Sequence, residues 1–205
     1  IFRIGIGAVP FLLPLMFQLG FGLSPFESGL LTFASAIGAI SLKFFATTAL
    51  KLAGFRTVLI FAALAGAALM GANAFFTPAT PYWTIIVILI AAGFTRSMFF
   101  TSSNALIFAE IDDRQASQAT AIASVAQQIS VALGVAVAGM FLEGHHLLTG
   151  EETGLPAFFV AFLGVSAMAA CAVLPLLSLS PDAGMTVSGH VRKRQPPEES
   201  PHSIE

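Results

Sequence analysis

Six long apolar runs set the strongest limit on how this chain can fold. Each holds about 20 or more residues with few charges, and 20 helical residues rise about 30 Å, the thickness of a bilayer's hydrocarbon core. Of the 205 residues, 56% are hydrophobic and 10% are charged, whereas roughly a quarter of a soluble domain is charged. The sequence therefore predicts an all-α, polytopic membrane protein.

Polar or Pro/Gly-rich segments separate the runs and set the predicted helix ends. We expect transmembrane helices a to f near residues 2–22, 26–49, 55–76, 82–108, 117–142 and 155–177. Short links between them predict antiparallel neighbours. Residues 1–178 are expected to form one six-helix bundle, and residues 179–205, rich in Ser, Pro and charge, a disordered cytoplasmic tail.

Basic residues predict the orientation of the bundle. Lys43, Lys51 and Arg56 surround the b to c link, and Arg114 lies in the d to e link, whereas the other three links contain no Lys or Arg. Because basic residues near short loops remain on the cytoplasmic side, we expect both ends of this segment to be cytoplasmic. The bilayer is expected to be a bacterial plasma (inner) membrane.

The polar residues follow a three-plus-three pattern. Helices c and f are almost wholly apolar, interrupted mainly by Asn73 and Ser166, whereas a, d and e carry several polar groups. The apolar helix is thus third in each triplet, and such a helix faces lipid or a dry core. Two triplets of opposite topology form the inverted repeat that is typical of secondary transporter halves.

Helix a contains two prolines inside its apolar run. Pro10 and Pro14 each remove an intrahelical hydrogen bond, which favours a kink or local unwinding. The pattern fits a transport helix that must move, and it fits a rigid structural bend equally well.

Arg96 is the most informative single residue. It lies midway along helix d, and placing Arg at the centre of a membrane helix costs about 2.5 to 3.5 kcal/mol on insertion scales. We therefore expect it to face a water-filled cavity, an anionic group or backbone carbonyls. No acid in the spans is an obvious partner, which favours a role in transport over a purely structural pairing.

Two further helices carry polar faces. On helix e, polar residues recur every three or four positions, so they share one face that lines a substrate path or bonds to a neighbouring helix. On helix d, a similar run surrounds Arg96. Together with Gln18 of helix a, the candidate substrate-path residues are Gln18, Arg96, Thr101, Asn104, Ser124, Gln127 and Gln128.

Several other functions lack support in the sequence. Every Asp and Glu lies in a predicted link, interface or tail, so a carboxylate proton relay would lie outside this segment. The adjacent His145 and His146 are a weak metal signal without further ligands, and no metal or cofactor is expected. Enzyme motifs and a basic nucleic-acid stripe are absent.

Three stretches carry a family resemblance: residues 10–31 with Pro10, Pro14 and Gln18, residues 96–106, and residues 127–136. In their order and spacing they resemble the C-terminal half of major facilitator superfamily transporters, in particular the fourteen-helix drug:proton antiporters. The resemblance implies that helices a and d line the central cavity, b and e face the other half, and c and f face lipid. With no Met before Ile1, we expect an N-terminal half upstream.

The b to c link resembles the superfamily's cytoplasmic Asp-Arg-x-Gly-Arg motif. Gly54 matches, whereas Lys51 occupies the position of the acid and Phe55 precedes Arg56. Lys51, Gly54 and Arg56 are therefore candidate cytoplasmic gating-loop residues.

The resemblance implies proton-coupled efflux of small amphipathic compounds, with the coupling site in the N-terminal half. Two alternatives stay open. One is a metabolite permease that binds an anionic substrate through Arg96. The other is a non-transporting membrane module or fragment.

Overall fold

A computed structural model describes residues 2–42, 46–108, 116–151 and 153–179, with the side chains of 46–53, 108 and 116 left out. Every regular element within these ranges is helical, which confirms the all-α prediction. Lys43, Arg114 and the predicted tail from residue 180 onward lie outside the described residues, as does the side chain of Lys51.

The helices follow the order predicted from the sequence. Their bounds are α1 Phe2–Leu15, α2 Pro25–Ser41, α3 Ala46–Ala72, α4 Tyr82–Phe108, α5 Ala116–Thr149, α6 Leu155–Cys171 and α7 Val173–Leu177. Among the described residues, five helices are long and apolar enough to cross a membrane. The 17-residue α2 ends short of the predicted residue 49, and α5 continues past the predicted residue 142 to Thr149.

Helix α1 changes its geometry just after its second proline. A π-helical turn, Met16–Gly20, follows Pro14, and the Phe21 N–H donates to the Met16 carbonyl five residues earlier at 3.2 Å. Because proline has no N–H to donate, it weakens the regular hydrogen-bond ladder at this point. The local departure from α-helical geometry expected from the two prolines is present.

Helix α2 begins with a capping box. The Ser24 hydroxyl oxygen accepts from the Glu27 N–H, and the Glu27 carboxylate accepts from the Ser24 N–H at 2.9 Å. These bonds satisfy backbone donors that the first helical turn leaves free, and Pro25 at the first turn costs no hydrogen bond. The helix start was therefore predictable from Ser-Pro-x-Glu.

Helices α2 and α4 cross at close range through two glycines. A Cβ atom at Gly38 would overlap the Ile90 carbonyl, and one at Gly93 would overlap the Ser35 carbonyl. Small residues allow such backbone approach, which supplies packing energy where lipid removes the usual hydrophobic force.

The crossing of α1 and α5 has the same construction. A Cβ at Gly7 would stand 2.7 Å from the Val131 Cα, and one at Gly134 would overlap the Ile4 carbonyl. Helices α1 and α4 are the first of their triplets, and α2 and α5 the second. The two glycine crossings are thus equivalent under the three-plus-three inverted repeat.

The third helices, α3 and α6, pack against each other. The Ser166 hydroxyl donates to the Ala67 carbonyl across this contact at 2.7 Å, and Phe158, Phe162 and Val165 of α6 are fully buried. Other apolar side chains of α3, including Phe61, are exposed outward. Helix α3 therefore has one packed face and one outward apolar face.

Candidate functional site

A cavity of about 250 Å³ lies among α1, α2, α3 and α4. Its volume falls just under the roughly 300 Å³ at which drug-sized sites begin. Most of its walls are apolar, and the lining residues are Phe2, Ile6, Val9, Pro10, Leu13, Pro14, Thr32, Ser35, Gly66, Met70, Asn73, Leu89, Ala92, Gly93 and Arg96.

Small residues and prolines make room for the cavity. Pro10 and Pro14 both lie on its α1 wall. On α3, a Cβ atom at Gly66 would stand 2.7 Å from the Cζ atom of Phe2, so a larger residue there would displace that ring. The same sequence features that suggested a specialised helix a therefore shape the site.

Arg96 contributes the positive charge of the cavity wall. It is half-buried and makes no hydrogen bond or ion pair with any residue in the described ranges. None of the described lining residues is acidic. The guanidinium, which stays protonated in proteins, is thus available to an anion or a hydrogen-bond acceptor.

Asn73 is the most buried polar residue of the cavity. Its side chain is 1% exposed, and neither its Oδ1 nor its Nδ2 has a hydrogen-bond partner among the described residues. The sequence marked Asn73 as an interruption of an apolar helix but assigned it no role. The resemblance placed helix c toward lipid, whereas α3 also lines the cavity through Gly66, Met70 and Asn73.

Two hydroxyls from α2 complete the polar lining. The Thr32 hydroxyl donates to the Gly29 carbonyl at 3.0 Å, and the Ser35 hydroxyl donates to the Thr32 carbonyl at 2.9 Å. Their hydrogens are therefore used within α2, and only oxygen lone pairs remain for a ligand. No feature of the sequence distinguished them from ordinary helical Ser and Thr.

Aromatic and polar contacts join α1 to α4 beside the cavity. The Phe2 and Phe99 ring centroids lie 4.3 Å apart, and the Arg3 guanidinium donates to the Asn104 side-chain oxygen at 2.7 Å. Arg3 also lies 4.9 Å from the centre of the Phe100 ring. Asn104, a predicted substrate-path residue, thus bonds to Arg3 of α1.

The other candidates lie outside the cavity lining. Gln18 is half-buried in the π-helical turn, and Thr101 on α4 is exposed. On α5, the exposed candidates are Ser124, Gln127 and Gln128, and the Ser124 hydroxyl donates to the Thr120 carbonyl of its own helix at 2.8 Å. The cavity therefore contains Arg96 alone among the predicted substrate-path residues.

The gating-loop candidates occupy a break in α3. Gly54 has φ 71° and ψ 165°, a conformation that glycine adopts without strain. Two residues later, the Arg56 guanidinium donates to the Leu177 carbonyl at 2.9 Å. Gly54 thus separates the segment that begins at Ala46 from the span Gly54–Phe75.

The family comparison agrees with this architecture. Residues 1–202 match the Major Facilitator Superfamily. The chain belongs to this superfamily of integral membrane transport proteins, which are built from apolar spanning helices such as those described above.

Several curated relatives share the name "Putative multidrug resistance protein MdtD". The Serratia proteamaculans protein is 30% identical over 197 residues, covering 95% of this chain and 41% of the relative. The Cronobacter sakazakii protein is 32% identical over 180 residues, covering 85% and 37%. The chain thus spans about two fifths of the length of these relatives. No solved structure matches it.

Proposed function

We propose that this chain is the C-terminal half of a secondary active transporter that exports small amphipathic compounds by alternating access, driven by the proton gradient. Superfamily membership and relatives named for multidrug resistance support this function. The observation that carries it is the guanidinium of Arg96, which has no partner among the described residues and lies in a largely apolar cavity. Such a wall desolvates an apolar body while one charged group orients the ligand.

The other half of the transporter is proposed to cover the exposed polar face of α5. Gln127 and Gln128 are exposed on this membrane-length helix, and polar side chains facing lipid are costly. Contact with an N-terminal half would bury them and supply interhelical hydrogen bonds. In this arrangement, the break at Gly54 with Lys51 and Arg56 lies at the cytoplasmic gate.

Proton coupling is proposed to reside in the N-terminal half. None of the described cavity-lining residues is an Asp or Glu, the groups that usually relay protons within a membrane. The partners of this chain would then be protons, a small-molecule substrate, lipid and the N-terminal half.

The proposed topology places both ends of the chain in the cytoplasm of a bacterial cell, with the bundle in the inner membrane. Its support is the uneven distribution of Lys and Arg between alternate links. Accessibility tags at Thr80 and Gly150 should react only from outside. Reaction from the cytosol alone would overturn the topology and the transporter proposal with it.

A second candidate is a permease for an anionic metabolite. It is favoured by one observation, the positive Arg96 in a cavity without an acidic lining residue among those described. Transport into inverted vesicles separates the candidates. Drug uptake that requires a proton gradient supports the exporter, gradient-independent movement of an organic anion supports the permease, and no transport supports a non-transporting module.

A further inference from the structure

A buried side-chain amide without a partner requires a physical explanation. Asn73 is 1% exposed, lines the cavity, and forms no side-chain hydrogen bond within the described ranges. Leaving a buried donor or acceptor unsatisfied costs about 1 to 3 kcal/mol. The other polar interruption, Ser166, has the Ala67 carbonyl as its acceptor. Asn73 belongs to the cavity lining instead, so a molecule in the cavity is the natural source of its missing bonds.

Asn73 and Arg96 lie at different levels of the bundle. Arg96 is 14 residues after Tyr82, the start of α4, and this corresponds to a rise of about 21 Å. Asn73 lies in the 3-10 turn at the end of α3 that leads to Tyr82. The rest of the wall is mostly apolar and includes Met70 and Leu89. The cavity thus presents two separated polar groups and an apolar surface.

The two groups differ in the chemistry they accept. Arg96 offers only donors and a positive charge, which suits a carboxylate and opposes a cation. The Asn73 amide offers two N–H donors and a carbonyl acceptor. Because Thr32 and Ser35 use their hydroxyl hydrogens within α2, Asn73 is the neutral donor of the described lining. It therefore matches a group that both gives and accepts hydrogen bonds.

We propose that Asn73 is a second ligand-binding residue, and that the cavity takes a small amphipathic organic anion. The carboxylate of this compound lies at Arg96, and an uncharged amide or hydroxyl at its far end bonds to Asn73. The proposal rests on the proposed function, since it adds a subsite to the same cavity. It also narrows the substrate class, because a lipophilic cation would meet the Arg96 charge without a compensating acid.

The test compares two matched series of straight-chain carboxylates, from about six to twelve carbons long. One series ends in a primary amide and the other in a methyl group. Binding to the intact purified protein is measured by calorimetry. At the best chain length we expect about fivefold tighter binding of the amide-ended compound, which corresponds to one satisfied hydrogen bond.

The variant Asn73→Leu should abolish or invert this preference while still binding the methyl-ended compound, because Leu has a similar size without polar atoms. Ser166→Ala is the matched control: it also removes a polar group from the interior of the bundle, but this part-buried residue lies outside the cavity lining. The control should keep the end-group preference of the natural protein.

Four results would overturn the proposal. They are the absence of binding by either series, equal binding of both by the natural protein, an unchanged preference in Asn73→Leu, and equal weakening of both series in that variant. The second requires no variant, so a folding failure of Asn73→Leu leaves the proposal testable. Failure of the proposed function gives a different result, since Arg96→Gln would then bind both carboxylates as tightly as the natural protein.

Discussion

Helices α3 and α6 look alike in sequence, yet the polar residue that interrupts each apolar run has opposite surroundings. Ser166 of α6 donates to the Ala67 carbonyl at 2.7 Å. Asn73, at the end of α3, has no partner for either side-chain atom among the described residues and lines the cavity. One polar group joins two helices, whereas the other is the residue that we propose binds a ligand.

The comparison teaches that the partner of a polar residue in an apolar helix decides its role. A satisfied hydroxyl contributes to helix association. A buried amide without a hydrogen-bond partner lowers the stability of the fold. Such a destabilising residue is explained when its amide binds a ligand. Variants of the cavity wall and of the contact between α3 and α6 should therefore separate function from stability.

The largest effect is expected at the cavity. Arg96→Ala should lower transport by at least about a hundredfold, equivalent to about 2.7 kcal/mol, because truncating a desolvated charged contact typically costs 2 to 5 kcal/mol. Membrane insertion should stay normal. Uptake kinetics in proteoliposomes provide the measurement, with Ser166→Ala as a control substitution outside the cavity lining. Unchanged kinetics in Arg96→Ala would refute the role of Arg96.

At the contact between α3 and α6, a larger side chain should affect stability. A Cβ at Gly71 would stand 2.9 Å from the Ser166 hydroxyl oxygen, so Gly71→Val forces Ser166 away from its acceptor. Overpacking of this kind costs about 1 to 3 kcal/mol, measured as a lower thermal unfolding temperature in detergent. Gly139→Val is the control, since a Cβ there meets nothing within 4 Å. Equal destabilisation by both variants would contradict the packed contact.

Substitutions of Ser166 and Asn73 should change stability by smaller amounts and in opposite directions. Ser166→Ala should destabilise the protein by about 0.6 to 1.7 kcal/mol, the range for interhelical hydrogen bonds in membranes. Asn73→Leu should leave the stability of the ligand-free protein unchanged or raise it by about 1 kcal/mol, because it removes an amide that has no partner among the described residues. Chemical or thermal unfolding of both variants checks this. A loss of stability in Asn73→Leu equal to that in Ser166→Ala would remove the distinction.

The smallest effect is expected where α3 meets α7. The Arg56 guanidinium donates to the Leu177 carbonyl at 2.9 Å in an exposed position, and solvent competes with such a bond. Arg56→Gln should therefore cost no more than about 0.5 kcal/mol. We expect the unfolding temperature of Arg56→Gln to be close to that of the natural protein. A decrease as large as that of Gly71→Val would show that this contact is important for stability.

Local patterns in the chain predicted most of the fold. Hydrophobic run length predicted the spanning helices, the break between runs predicted a start of α2 near residue 26, and the prolines predicted a local irregularity in the first helix. The end of α5 was harder to predict from the sequence. The helix continues to Thr149 through polar residues such as Glu143 and His145, which resemble a loop in composition.

The candidate site was predictable only in part. The position of Arg96 in an apolar run indicated a cavity, because a permanent positive charge is costly in lipid and is better placed beside water or a polar group. The partners of Asn104 and Asn73 could not be read from the sequence, since each depends on which side chains another helix brings within about 3 Å. Asn104 has the Arg3 guanidinium at 2.7 Å, and Asn73 has no partner among the described residues.

By itself, the sequence determined that this protein lies in a membrane as an inverted pair of helix triplets, because span length and polarity are local properties of the chain. The tertiary structure alone decided which polar groups are satisfied and which line the cavity. Helix packing sets these distances through contacts such as the glycine crossings of α2 with α4 and of α1 with α5, and such contacts join residues far apart in the sequence.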